Sequence, residues 1–200
     1  MLDRIKRITK LDNEIINVYS YGSRVYGTHK ENSDYDFIIV ADCENTGQQY
    51  DSGNLTVHLY NQEHWEKMLQ EHRIFAMECF FLPDEFKSER KRFKFSLDLP
   101  SLRKEISSVS SNSWVKAKKK IEIEKEYYLG YKSLFHCLRI PIFGIQIGKD
   151  GMISNYQAAN HLWDKISNQI DYTRPWDSWK EEYQPIRNEI LTEFRKYAEK

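Results

Sequence analysis

The spacing of apolar and polar residues changes near the middle of the chain, from short alternating runs to long helical patterns. Alternation in steps of two is typical of half-buried strands, and it is clearest in the run Leu55–Tyr60. We predict two further strands, at Glu14–Ser20 and Asp36–Ala41, and a short helix near Leu2–Lys10. The first half therefore has an α+β pattern.

Turn and capping residues separate these elements. The polar segment Asp42–Asn54, which contains two glycines, is predicted to be a loop. Asn61 is suited to cap a helix over Gln62–His72. A second helical piece, Arg73–Leu82, is predicted to end before Pro83.

The second half is predicted to be helical from Ser101 onward, after an irregular, charged linker over Asp84–Pro100. The run Ser107–Ser113 is short enough to be a capping loop. We therefore expect an N-terminal α+β part over about 1–100 and a helical part over about 101–200. The helices expected in the second part begin with one capped by Ser110–Trp114 that runs through Tyr128, followed by Tyr131–Gly148, Asn155–Ile170 and Trp176–Ala198, the last broken near Pro185.

Composition narrows the class of protein. The 200 residues carry 30 basic and 30 acidic side chains, so no global field favours a polyanionic partner. The three cysteines, Cys43, Cys79 and Cys137, lie far apart without metal-ligand spacing, which favours a reducing compartment. Because no apolar run approaches the roughly 20 residues of a membrane span and Met1–Arg7 lacks the apolar core of a secretory signal, we expect a cytoplasmic protein without a membrane partner. The sequence leaves the oligomeric state open.

The most informative motif is Tyr21-Gly22-Ser23-Arg24 followed by Ser33-Asp34-Tyr35-Asp36 and an apolar strand. Residues two apart on a strand share one face, so Asp34 and Asp36 would place two like charges about 6–7 Å apart. Mg²⁺ binds oxygen ligands of this kind and completes its shell with water and substrate phosphates. A Gly-Ser turn offers close backbone approach, N–H groups and a hydroxyl to phosphates. The motif indicates metal-assisted nucleotidyl transfer. The alternative is a turn followed by two solvated aspartates that cap a strand, which the same sequence would also produce.

This motif resembles the DNA polymerase β-like nucleotidyltransferase superfamily, in which a Gly-Ser pair precedes an Asp-x-Asp on a strand. The resemblance implies a minimal catalytic domain, a small mixed sheet with flanking helices, followed by a helical domain that covers the cleft. It implies that Asp34 and Asp36 hold Mg²⁺ (or Mn²⁺), and that Gly22 and Ser23 hold the β- and γ-phosphates of an NTP. Arg24, next to the turn, is expected to reach the same phosphates.

In the superfamily a third carboxylate lies on the next strand, and the matching position here is His58. Three outcomes remain open: His58 replaces it as ligand or base, another acid such as Asp51 or Glu78 reaches in, or activity is lost. A further alternative is that His58 is a surface residue and two carboxylates suffice. Glu78 lies in an otherwise apolar segment and is expected either to pair with a basic residue or to position one that binds substrate.

Lys132, His136 and Arg139 are spaced to line one stripe of a helix, suited to a triphosphate or a nucleic-acid backbone, or simply to solvent. The stripe resembles a helical motif of the RNA-repair-associated branch of the superfamily, which implies an RNA partner. The cluster at Lys116–Lys120 is either a phosphate-tracking surface or a helix whose charges pair with the glutamates that follow. We therefore predict transfer of a nucleoside monophosphate from an NTP to a hydroxyl, on resemblance an RNA 3′ end. The rivals are a catalytically silent nucleotide or RNA sensor and an antitoxin-like protein AMP-transferase.

Overall fold

Five strands from the first half of the chain form one mixed sheet in the order β3-β4-β2-β1-β5. The structure, a computed structural model, describes residues 1–12 and 14–199. It divides into an N-terminal unit, Met1–Ser96, and a C-terminal unit, Leu97–Lys200. The N-terminal unit contains α1 (Leu2–Thr9), β1 (Ile15–Tyr21), α2 (Ser23–Tyr26), β2 (Tyr35–Ala41), β3 (Gln48–Ser52), β4 (Leu55–Asn61), α3 (Gln62–Gln70), α4 (Ile74–Phe80) and β5 (Lys87–Glu89), with a 3₁₀ turn at Asp84–Phe86.

The central strands β1, β2 and β4 begin and end within one residue of their predicted bounds. β2 runs parallel to β4 and antiparallel to β1. The side chain of Asn61 accepts a hydrogen bond from the backbone N–H of His64, so the predicted helix cap is confirmed.

Both edge strands lie where the sequence predicted irregular structure. β3 pairs antiparallel with β4 through a two-residue connection, Gly53-Asn54, in which Gly53 has φ +60°. This connection is typical of a tight hairpin, but β3 itself is polar because it is an exposed edge. β5 pairs with β1 inside the predicted linker, and Asn17 fixes the following chain by accepting the N–H groups of Arg90 and Lys91.

The two faces of the sheet differ in character. One face packs on Ile5 of α1 around an apolar cluster, with Ile39, Val57 and Leu59 at its centre. On the other face an aromatic layer fills the end of the sheet near α3 and α4, where Trp65 stacks on the ring of Tyr19 at 5.4 Å. The remaining end of that second face is free for polar residues, and it is the end at which β2 begins.

The C-terminal unit contains four helices: α5 (Leu99–Glu122), α6 (Tyr127–Asp150), α7 (Asn160–Ser167) and α8 (Trp176–Ala198). The predicted capping loop at Ser107–Ser113 is wrong, because α5 begins eight residues earlier, after the N-cap Asp98, whose carboxylate accepts the N–H of Ser101. The serines lie inside the helix, where Ser110 Oγ donates to the carbonyl oxygen of Cys137 on α6 at 2.9 Å. Small hydroxyl residues thus allow α5 and α6 to approach closely, and this use cannot be told from capping in the sequence.

The predicted break near Pro185 is also wrong, because α8 continues through it from Trp176 to Ala198. A proline inside a helix removes one hydrogen bond and costs about 3 kcal/mol. The buried face of α8, which includes Trp179, Tyr183 and Phe194, stabilises the helix on both sides of the proline. The α+β fold class is confirmed, and none of the helices in 1–12 and 14–199 is long and apolar enough to cross a membrane.

Candidate active site

The Gly-Ser turn lies against the carboxylate of Asp36. Gly22 follows β1 with φ +78° and ψ −156°, a backbone conformation open essentially to glycine alone. A Cβ atom placed on Gly22 would lie 2.3 Å from Oδ2 of Asp36, so no larger residue fits. The carbonyl oxygen of Gly22 accepts the N–H groups of Val25 and Tyr26 and so starts α2. The turn predicted from sequence is therefore in contact with the second aspartate of the motif.

Asp34 and Asp36 occupy the polar end of the sheet. Asp36 is the second residue of β2 and pairs with Tyr21 of β1 on one side and Thr56 of β4 on the other. Asp34 is exposed and immediately precedes β2, where an extended chain places it on the same face as Asp36. Two carboxylates on one face, beside a turn without a side chain, fit a hard divalent cation that keeps water and phosphate ligands.

His58, at the position of the superfamily's third carboxylate, does not lie directly beside Asp36. His58 pairs with Ile38 in the register of β2 and β4, so it shares the face of Asp36 but lies two residues further along. Among the residues that the structure describes, no three His, Cys, Asp or Glu side chains lie close enough to hold one metal ion. Asp34, Asp36 and His58 therefore do not form a preassembled three-ligand site.

The residue directly beside Asp36 on β4 is Thr56, which the sequence analysis did not single out. Its hydroxyl donates to Asp51 Oδ1 of β3 at 2.8 Å, so Asp36, Thr56 and Asp51 form a polar row across three strands. Hydrogen bonds from Thr56 and then Gln49 lower the pKa of Asp51. Burial opposes them, and the charge of His58 contributes a lowering effect weaker than that of burial. The row depends on the pairing of β3 with β4, and the sequence analysis missed it because β3 was predicted to be a loop.

Arg24 holds the chain that leads into Asp34. Its guanidinium lies 3.8 Å from the ring centre of Tyr35 and donates to the carbonyl oxygens of Ser33 (2.7 Å) and Asp34 (3.2 Å). These contacts couple the Gly-Ser turn to the start of β2. Binding of phosphate by Arg24 stays a prediction, but the position of its side chain already serves the geometry of the site.

Glu78 lies behind the turn. This α4 side chain is 1 % exposed, and its Oε2 accepts a hydrogen bond from the hydroxyl of Tyr26, the last residue of α2. The ring of Tyr26 in turn meets that of Tyr21 edge to face, with 6.1 Å between ring centres. A buried carboxylate thus connects α4 to the helix that begins at Ser23.

The predicted basic stripe of α6 consists of three side chains in different environments. Lys132 is exposed, with its Nζ 4.8 Å from the ring centre of Tyr128. His136 Nδ1 lies 2.9 Å from Ser113 Oγ, and burial, with the charges of Arg139 and Lys116, lowers the pKa of His136 to about 3. Arg139 is 4 % exposed. The lowered pKa favours the neutral form of His136 at pH 7, and nucleotide binding by the stripe stays a prediction.

The basic cluster at the end of α5 pairs with its own glutamates. Lys118 Nζ lies 3.6 Å from Glu122, and Lys120 Nζ lies 2.5 Å from Glu124, which Lys119 also contacts at 2.8 Å. Hydrogen bonds from Lys119 and Lys120 lower the pKa of Glu124 to about 2. The self-paired alternative therefore describes this cluster.

Comparison with known proteins decides the family. The family described as the nucleotidyltransferase domain matches residues 2–129, which include the Gly-Ser turn and both aspartates. The chain belongs to this family. The resemblance to the polymerase β-like superfamily is thereby confirmed, and with it transfer of a nucleoside monophosphate as the general activity.

Of two similar solved structures, the first agrees with the fold. A spectinomycin adenyltransferase from Enterococcus faecialis, crystallised with ATP and spectinomycin, is similar with a TM-score of 0.50 and 14% identity, over 97% of this nucleotidyltransferase and 98% of that chain. A nucleotidyltransferase-like protein from Exiguobacterium sibiricum has a TM-score of 0.37 and 10% identity, over 98% of this chain and 76% of that one. A search of curated proteins gave no match.

Proposed function

We propose that this nucleotidyltransferase requires Mg²⁺ or Mn²⁺, held by Asp34 and Asp36, and transfers a nucleoside monophosphate from an NTP to an acceptor hydroxyl. The observation that carries the proposal is the contact between Gly22 and Asp36 Oδ2, where an added Cβ would approach within 2.3 Å. The contact joins a turn suited to phosphate to a carboxylate suited to a metal ion, with no side chain between them. When bound, the ion would neutralise phosphate charge and stabilise the in-line transition state.

The acceptor oxygen would attack the α-phosphorus, the bond from that phosphorus to the bridging oxygen would break, and pyrophosphate would leave. Ser23 and the backbone of Gly22 would hold the β- and γ-phosphates. The proton of the acceptor hydroxyl must go to a base. The sequence analysis left three candidates for this base: His58, Asp51 and Glu78.

The structure places these three groups differently relative to Asp36 and the turn. His58 lies two residues beyond the level of Asp36 along the sheet, and Asp51 lies two strands away, which is about 10 Å. Glu78 instead contacts the residue that ends α2, three positions after Ser23. Glu78 is 1 % exposed, whereas Asp51 is exposed and His58 is partly exposed.

The RNA 3′ end predicted from sequence remains the first proposed acceptor. A second candidate is a small hydroxylated molecule, because a spectinomycin adenyltransferase shares the fold over 97% of this chain. At 14% identity the similarity supports the fold alone, and experiment must identify the acceptor.

The test is incubation with α-³²P-labelled NTPs and Mg²⁺ or Mn²⁺, in parallel with single-stranded RNA, with spectinomycin-like aminocyclitols and with a candidate protein. Label in RNA supports the first acceptor, label in the small molecule the second, and label in protein the AMP-transferase alternative. We expect Asp36→Ala to abolish transfer while its unfolding transition stays cooperative. Transfer by the Asp36→Ala variant at the wild-type rate would refute the metal site, and NTP binding without any transfer would identify a silent sensor. Of the variants Glu78→Gln, His58→Gln and Asp51→Asn, the one that removes the true base should lose the acidic limb of the pH–rate dependence, on which the rate rises as the base deprotonates.

A further inference from the structure

The chain after β5 carries an alternating basic and aromatic pattern that the catalytic proposal does not use. We call residues 90–96, Arg-Lys-Arg-Phe-Lys-Phe-Ser, the basic–aromatic segment. It has no regular secondary structure, and exposure alternates along it: Arg92 and Lys94 are exposed, Phe93 is 4 % exposed and Phe95 is half-buried. The segment thus presents cations outward while its rings pack on the N-terminal unit.

A cavity of about 760 Å³ opens beside this segment. Its aromatic lining residues are Phe80, Phe93 and Phe95, its charged ones are Arg92 and Lys94, and Gln70 and Ser96 complete the lining. None of its lining residues, all of which belong to the described part of the N-terminal unit, is acidic. The cavity therefore combines an aromatic surface with positive charge.

The charges of this cavity are available to a ligand. Lys91, at the start of the segment, is held by Glu66 and Gln62, each at 2.9 Å from its Nζ. Arg92 and Lys94, in contrast, form no ion pair with any residue that the structure describes. This differs from the end of α5, where neighbouring glutamates take up the lysines.

The ring of Phe95 is fixed by its neighbours. Its centre lies 5.3 Å from that of Phe80, 5.7 Å from that of Phe81 and 5.1 Å from that of His72. Because Phe95 and Phe80 are both only half-buried, part of each ring remains exposed. A rigid, partly exposed aromatic surface beside cations is the arrangement on which single-stranded nucleic acids stack their bases and neutralise their phosphates.

We propose that this cavity binds a single-stranded RNA acceptor, with a base stacked on Phe95 beside Phe80 and backbone phosphates on Arg92 and Lys94. The proposal rests on the proposed function for its biological meaning, since it supplies a binding surface for the RNA to be extended. It stands on its own physically, because binding at this cavity requires neither NTP nor metal.

The test is fluorescence anisotropy with a short labelled single-stranded RNA, titrated with the full-length protein without NTP or metal at several salt concentrations. Arg92→Gln/Lys94→Gln should weaken binding and reduce the slope of log K against log salt by about 0.7 for each lost phosphate contact. Phe95→Leu keeps an apolar side chain but removes the stacking surface, and it should weaken binding about five- to a hundredfold without changing that slope. The matched control, Arg7→Gln/Lys10→Gln, removes two exposed cations at the C-terminal end of α1 in the same unit and should leave affinity within about twofold.

Equal weakening by the control pair, or no weakening by the two cavity variants, would overturn the proposal. Absence of RNA binding by the wild-type protein, together with transfer of label to a small molecule, would also overturn it and would leave nucleotidyl transfer intact. RNA binding that depends on Arg92, Lys94 and Phe95 without transfer to any acceptor would support the cavity and refute the proposed enzymatic function.

Discussion

Gly22→Ala tests the contact on which the candidate site depends. The backbone of Gly22, with φ +78° and ψ −156°, lies in a region where a non-glycine residue costs about 1–3 kcal/mol. The new methyl group would lie 2.3 Å from Oδ2 of Asp36, more than 1 Å short of the 3.4 Å at which ordinary contact begins. Either the carboxylate or the turn must therefore move by about 1 Å, and a misplacement of this size in an active site costs about a hundredfold in rate.

We expect Gly22→Ala to lower the free energy of unfolding by about 1–3 kcal/mol and to reduce transfer about a hundredfold or more. Urea unfolding measures the first effect. Mn²⁺ affinity in the presence of NTP, followed by electron paramagnetic resonance, measures displacement of the carboxylate without knowledge of the acceptor. The double variant Gly22→Ala/Asp36→Ala should lose no more activity than Asp36→Ala, because both changes act through the same carboxylate.

Gly47→Ala is the matched control, since Gly47 has φ +70° but nothing within 4 Å of an added Cβ. It should lose about 1 kcal/mol through backbone strain alone and keep wild-type Mn²⁺ affinity. Gly22→Ala with Mn²⁺ affinity and transfer rate within about threefold of wild type would refute the close approach of turn and carboxylate. An equal loss of Mn²⁺ affinity and transfer rate in Gly47→Ala would mean that general destabilisation causes the effect.

Three further changes test contacts away from the turn. Tyr26→Phe removes the hydrogen bond to Glu78 and should destabilise the protein by about 1–3 kcal/mol in urea unfolding. Tyr35→Phe should change the stability little, because the Tyr35 hydroxyl forms no hydrogen bond with any residue that the structure describes. Burial raises the pKa of Glu182, but hydrogen bonds from Arg174 and Lys165 outweigh burial and bring that pKa to about 2. Because this folded-state pKa is below the unfolded one, the stabilisation of the fold by ionised Glu182 is complete above about pH 5 and disappears as pH falls towards 2. Glu182→Gln should therefore cost about 1–2 kcal/mol at pH 7, after allowance for solvent screening, and the difference from wild type should shrink at pH 3. Asn61→Ala removes the cap of α3 and should cost about 1 kcal/mol, without changing NTP affinity.

The centre of the candidate site was predictable because its elements are local. Gly22 and Ser23 close one strand, Asp34 and Asp36 open the next, and the two strands pair so that Tyr21 lies beside Asp36. An antiparallel pair of neighbouring strands brings such residues together whatever the rest of the fold does. A strand-like pattern and a turn were therefore sufficient to predict this part of the site.

The parts that were missed depend on contacts between distant segments. β3 is polar and was predicted to be a loop, because an exposed edge strand lacks the apolar alternation that identifies a strand. The Thr56–Asp51 hydrogen bond depends on that strand and was missed with it. In α5, Ser110 bonds to the carbonyl oxygen of Cys137 on another helix, and the local sequence offers no way to distinguish this from a helix cap.

The two lysine- and arginine-rich segments show why acceptor binding is harder to predict from sequence than catalysis. Lys118–Lys120 and residues 90–94 have a similar density of positive charge, yet glutamates one helical turn later neutralise the first. The second lies in an extended segment where no such periodic partner exists, and α4 supplies Phe80 beside Phe95 from fifteen residues earlier in the chain. Charge density alone therefore predicts equal nucleic-acid binding by the two segments. They differ in backbone conformation and in whether a distant part of the chain supplies an aromatic ring beside them. If the acceptor is RNA, the second segment is where we expect single substitutions to change affinity, and the lysines of α5 are where we expect them to have no effect.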